Sequence, residues 1–103
     1  MKFTIDGSDD KKHIALFGNF TFADNQQFKE MMAELDHDPV KAVTLDFAGV
    51  EFIDSGALGM LLLFRDRCQS RHINLSLHSA HGQVKKTFLI ARFDQLFAMR
   101  GAK

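Results

Sequence analysis

The polar pair Asp54-Ser55 stands between two apolar runs, and this junction constrains the fold more than any other feature of the chain. The first run, Ala42-Val43-Thr44-Leu45-Asp46-Phe47, predicts a buried strand, with Gly49-Val50-Glu51 as the loop after it. The second, Leu58 to Phe64, belongs to a predicted helix from about Ser55 to Ser70. A strand leading into a helix points to a sheet with helices packed against it. The junction also puts two polar side chains where the first helical N–H groups have no intrahelical partners. One of them is expected to act as an N-cap. A serine at such a place is exposed, locally ordered and close to the positive end of the helix dipole.

The flanking segments extend the pattern. Phe3 and Ile5, then Ile14 and Leu16, alternate with polar or small residues and predict two strands joined by the turn Asp6-Gly7-Ser8-Asp9-Asp10. Gly18-Asn19 ends the second strand. Thr21-Phe22-Ala23-Asp24 has the form of a capping box. Phe28, Met31, Met32 and Leu35 recur at helical spacing, and Asp36-His37-Asp38-Pro39 stops that helix. Ile73, Leu75 and Leu77 alternate as a further strand. Ser79 is the expected cap of a third helix carrying Val84, Phe88 and Ala91, and Phe93 to Met99 forms a terminal segment with strand character. The order is ββαβαβα, an α/β fold with a mixed sheet of four to five strands and helices packed against it.

A chain of 103 residues is expected to form a single domain over 1–103. Its thirteen basic and thirteen acidic side chains cancel, so no long-range field draws it to nucleic acid or anionic lipid. No apolar run is long enough to cross a bilayer, and Met1-Lys2-Phe3-Thr4-Ile5-Asp6 lacks the apolar core of a signal peptide. Cys68 is the only cysteine, which excludes an internal disulfide and a thiolate metal cluster. The expected place is the cytoplasm. Eleven phenylalanines, with no tyrosine or tryptophan, are expected mainly to fill the core.

Three chemistries fit the junction. In the first, one of Asp54 and Ser55 is an N-cap and nothing more. In the second, Ser55 is a nucleophile. That requires an oriented base, yet none of the five histidines has a catalytic spacing, and Ile53 and Ala57 stand where a nucleophile elbow needs glycine. The chain is therefore not expected to be an enzyme. In the third, Ser55 accepts a phosphate, whose oxygens would meet free N–H groups at the helix start. His72, His78 and His81 lack metal-ligand spacing, Gly56 and Gly59 do not form a phosphate-cradling loop, and neither metal nor cofactor is expected. On a helical wheel Ala57, Leu61, Phe64 and Cys68 share one face, with Leu58 beside it. Gly59, Met60 and Leu63 point largely the other way, which predicts either a partner patch or cover from a neighbouring helix.

From Asp46 to Gly59 the sequence resembles the STAS domain of bacterial anti-sigma factor antagonists, whose mark is a hydrophobic strand, an Asp-Phe-like pair, then Asp-Ser-Ser/Thr-Gly-Leu-Gly opening a helix. The segment Leu16-Phe17-Gly18-Asn19-Phe20-Thr21 is similar to the family's Leu-x-Gly-x-Leu-Asp. The resemblance implies a module that binds an anti-sigma factor or equivalent regulator when unphosphorylated and releases it when a serine kinase has modified it. A phosphatase resets the switch. By this matching Ser55 is the acceptor and Asp54 the aspartate that orders the site. Thr21, Gly56, Gly59, Met60 and Leu63 fall on the implied partner surface. Gly56 replaces the second Ser/Thr, Ala57 the usual glycine, and Thr21 a common aspartate. Gly56 leaves Ser55 as the motif's one hydroxyl. The run from Asp54 to Leu63 is most similar to stand-alone regulators of biofilm, motility or secretion in Gram-negative bacteria. Two other functions stay open: a STAS subunit of a membrane transporter complex, and a small-molecule binder, with a nucleotide as the candidate ligand.

Overall fold

The computed structural model describes residues 1–37 and 39–101. Asp38, part of the expected helix stop, lies outside the described residues. Five strands form one sheet in the order β1-β2-β3-β4-β5: β1 Lys2–Gly7, β2 Lys11–Phe20, β3 Ala42–Ile53, β4 Asn74–His78 and β5 Ala98–Arg100. β1 pairs antiparallel with β2, and the other three pairings are parallel. The helices are α1 Asn25–Glu34, α2 Ser55–Ser70, α3 Gly82–Ile90 and the single turn α4 Phe93–Leu96. A sequential strand order with right-handed crossovers places α1, α2 and α3 on one face of the sheet. Burial alternates accordingly. Ile14, Leu16, Val43, Leu45 and Phe47 are buried, while Ala15, Thr44 and Asp46 are only half-buried.

Aromatic rings fill much of the core. Phe20 stacks on Phe28, and Phe28 meets Phe64 edge-on, with centroids 5.2 and 5.8 Å apart. A second row, Phe47, Phe88, Phe93 and Phe97, lies under α3 and α4. The rings thus mainly fill the core, as the sequence implies, with three exceptions. Phe17, Phe22 and Phe52 are exposed, in the second half of β2, the turn after it and the end of β3.

Several expectations need correction. Gly49-Val50-Glu51 is not a loop: β3 runs on to Ile53 through two register shifts against β2. Asp46 makes this possible by accepting a hydrogen bond from Ala48 N–H at 2.9 Å where the ladder is interrupted. Gly49 is needed there because a Cβ would stand 2.5 Å from the Phe17 ring. Ser79 does not cap α3. Its φ of +61° puts it in a left-handed turn, and His81 takes the N-cap position with no side-chain bond. The capping box at Thr21 is formed, but it closes a 3₁₀ turn, Phe22–Asp24, ahead of α1. The terminal segment divides into α4 and the short β5. Met60 is buried, 5% exposed, and does not share an outward face with Gly59 and Leu63. The inward arc of α2 is wider than the wheel implied, since the helix packs on the sheet and beside α1 together.

Candidate functional site

The site forms where β3 ends and α2 begins. Asp54 is still extended, at φ −110° and ψ 175°, so it ends the strand and caps the helix in one residue. Its Oδ1 accepts from Ala57 N–H at 2.8 Å. Its Oδ2 reaches the turn after β2 and accepts from Phe22 N–H at 3.2 Å. Its own N–H donates to the Phe20 carbonyl at 3.3 Å. Asp54 thus joins three elements, and the N-cap alternative applies to Asp54 rather than to Ser55.

Ser55 is the first helical residue and is exposed. Among the described residues no side chain hydrogen-bonds its hydroxyl, and no histidine stands there as a base. First-turn N–H groups without an intrahelical acceptor favour an anion at this end of α2, where the Asp54 carboxylate already caps one of them. Gly56 comes next. A Cβ on it would stand 2.5 Å from the Cβ of Phe22. The hydroxyl residue usual in the resembled motif is excluded by this contact, so Gly56 and Phe22 fit one another. Phe22 remains 62% exposed on its outer side. Ser55, Gly59 and Leu63 lie on the outer surface of α2 as the sequence implies, and Gly56 is half-buried against Phe22.

The turn that carries Phe22 is itself braced. Thr21 Oγ1 accepts from Ala23 N–H at 3.3 Å, and Asp24 Oδ2 accepts from Thr21 N–H at 2.9 Å. The Met1 ammonium pairs with Asp24 Oδ1 at 2.9 Å. Thr21 is therefore half-buried and occupied within the turn. On the other side of the junction, Gln83 of α3 binds the Ile53 backbone through both side-chain atoms, at 3.0 and 2.9 Å. Neither Phe22 nor Gln83 was visible to sequence reasoning, because each meets the junction only through tertiary structure.

The remaining candidates lie elsewhere. His78 and Ser76 contact each other on β4, and His81 Nε2 is 3.0 Å from the Ala48 carbonyl oxygen. Among the described residues no group of His, Cys, Asp or Glu is arranged to hold a metal. Cys68 is buried on the inner face of α2, and burial pushes its thiol pKa up to about 11.

The family model described as "Mlab, STAS domain" matches residues 3–100. The chain belongs to the STAS domain family. A STAS-domain containing protein of Pseudomonas aeruginosa (strain UCBPP-PA14) is 34% identical over 84 residues, 82% of each chain. The STAS fold here is that of the anti-sigma factor antagonist SpoIIAA in its unphosphorylated form, with TM-score 0.80 at 18% identity over 95% of this chain and 87% of that one. The phosphorylated form of SpoIIAA, a Bacillus cell fate determinant, gives 0.72 at 16% over 95% and 90%. A sulfate transporter family protein of Wolinella succinogenes shares the fold too, with TM-score 0.76 at 18% over 89% of this chain and 77% of that one. No helix among the described residues is long and apolar enough to cross a membrane.

Proposed function

We propose that this STAS domain is a phosphorylation-switched binding module, an anti-sigma factor antagonist with Ser55 as its acceptor. The observation that carries the reading is the position of Ser55: exposed, first in α2, and directly after the Asp54 cap. A kinase would transfer the γ-phosphoryl group of ATP to Ser55 Oγ, releasing ADP and the hydroxyl proton. The product carries close to two negative charges. The fold tolerates them, since an anion at a helix N-terminus is favourable. The cost falls on the partner instead, which would meet an unpaired charge beside the exposed ring of Phe22. The partner is an anti-sigma factor or an equivalent regulator, a phosphatase resets the serine, and the cytoplasm is the place of action. Biofilm or motility control is the programme that the sequence resembles.

The fold shared with a sulfate transporter family protein favours a second reading, a STAS subunit of a membrane transporter complex. Affinity capture with the wild type, Ser55→Ala and Ser55→Asp separates the two. The switch reading expects Ser55→Ala to keep the regulator and Ser55→Asp to lose on the order of 2 kcal/mol of binding at an unchanged melting temperature. A melting temperature that falls with the affinity would show an effect on folding and overturn it. Capture of integral membrane proteins, equal for all three chains, would favour the transporter subunit.

A further inference from the structure

Pairing between β3 and β4 ends at Asp46 and His78, yet β3 continues to Ile53. Past that point no strand among the described residues binds the backbone groups on the edge of β3 facing β4. Gln83 takes the strand's place. Its Oε1 accepts from Ile53 N–H at 3.0 Å, and its Nε2 donates to the Ile53 carbonyl at 2.9 Å. One carboxamide thus makes both bonds that a neighbouring peptide would make. Asp54, the next residue, turns its N–H to the opposite side, toward Phe20 of β2. The chain entering α2 is therefore held from α3 at one residue and from β2 at the next.

We infer that Gln83 is a positioning residue of the Ser55 site, which holds the Ile53 peptide and so sets where Ser55 leaves the sheet. This rests on reading Ser55 as the acceptor, and it brings the first turn of α3 into the switch. Gln83 touches neither Ser55 nor its phosphate; it acts through the backbone. A glutamine at the second position of a helix carries no such signal in sequence, since its partner lies thirty residues away.

Two readouts on the whole chain test this without a kinase. The first is amide exchange by NMR in the wild type and in Gln83→Met, which keeps length and shape but makes neither bond. Exchange of the Ile53 amide should accelerate about tenfold, while Ile14 and Leu45 in the sheet centre keep their wild-type rates. The second is iodoacetamide alkylation of a Ser55→Cys chain. Its rate should change by at least about threefold when Gln83→Met is added, because thiolate reactivity follows the thiol's place at the helix N-terminus. Buried Cys68 gives no competing signal. Unchanged Ile53 exchange, acceleration shared equally by all core amides, or an unchanged alkylation rate would each overturn the inference. Phosphate found at another residue would instead overturn the switch reading, so the two failures are distinct.

Discussion

The two ends of α2 are built to opposite plans. The C-terminal half carries Phe64 and Cys68 on its inner face, both 1% exposed, and Phe64 meets Phe28 of α1 edge-on. Asp36 closes that end by pairing with both Arg67 and Arg71. The N-terminal end has an exposed serine, a glycine and an exposed phenylalanine, and polar bonds from Asp54 and Gln83 hold it in place. The inner face is packed along the whole helix; beyond it, ion pairs close one end and hydrogen bonds position the other. A charge placed on the exposed Ser55 would stand away from the packed inner face, which is what the proposed switch requires.

The contrast can be broken most directly in the packed half. Phe64→Ala should cost about 3–5 kcal/mol in denaturant unfolding, through lost burial and the cavity left behind. Ser55→Ala should stay within about 0.5 kcal/mol of the wild type. Similar values for the two would mean that the ends are not built differently.

The two faces of α2 meet at a sharp boundary. Met60 is 5% exposed and Leu63 is 59% exposed. Met60→Glu should cost at least about 2 kcal/mol more than Leu63→Glu, because only the first buries an unpaired carboxylate. Thermal melts of both variants check this. If Leu63→Glu is the worse folder, the outward face of α2 has been misplaced.

A smaller effect sharpens the polar end. Asp54→Ala removes the cap and the tie to Phe22 and should lower stability by about 1–2 kcal/mol. Asp54→Asn can keep the cap through its one amide oxygen but cannot accept from Phe22 N–H as well, so it should recover only part of that loss. Equal losses in the two variants would show that the cap to Ala57 N–H carries little of the stability.

Much of this was legible in the sequence, for local reasons. The start of α2 was visible because Asp54 announces a cap, and its inner face because Ala57, Leu61, Phe64 and Cys68 repeat at helical spacing. What escaped depended on distant partners. The last third of β3 reads as a glycine turn until β2 supplies its ladder and Phe17 covers Gly49. Met60 reads as outward on the wheel, and only the folded chain buries it. Phe22 and Gln83 have no local signature, since their roles arise only when their elements close on the junction.

The central claim is that Ser55 carries the phosphate. The most direct measurement is residue-level phosphate mapping by peptide mass spectrometry, on the chain isolated from its own cells across growth conditions. The account predicts a reversible phosphate on Ser55 and no second acceptor in the junction, where Gly56 offers no hydroxyl. Phosphate on Ser70, Ser76 or Ser79 with Ser55 unmodified would contradict it.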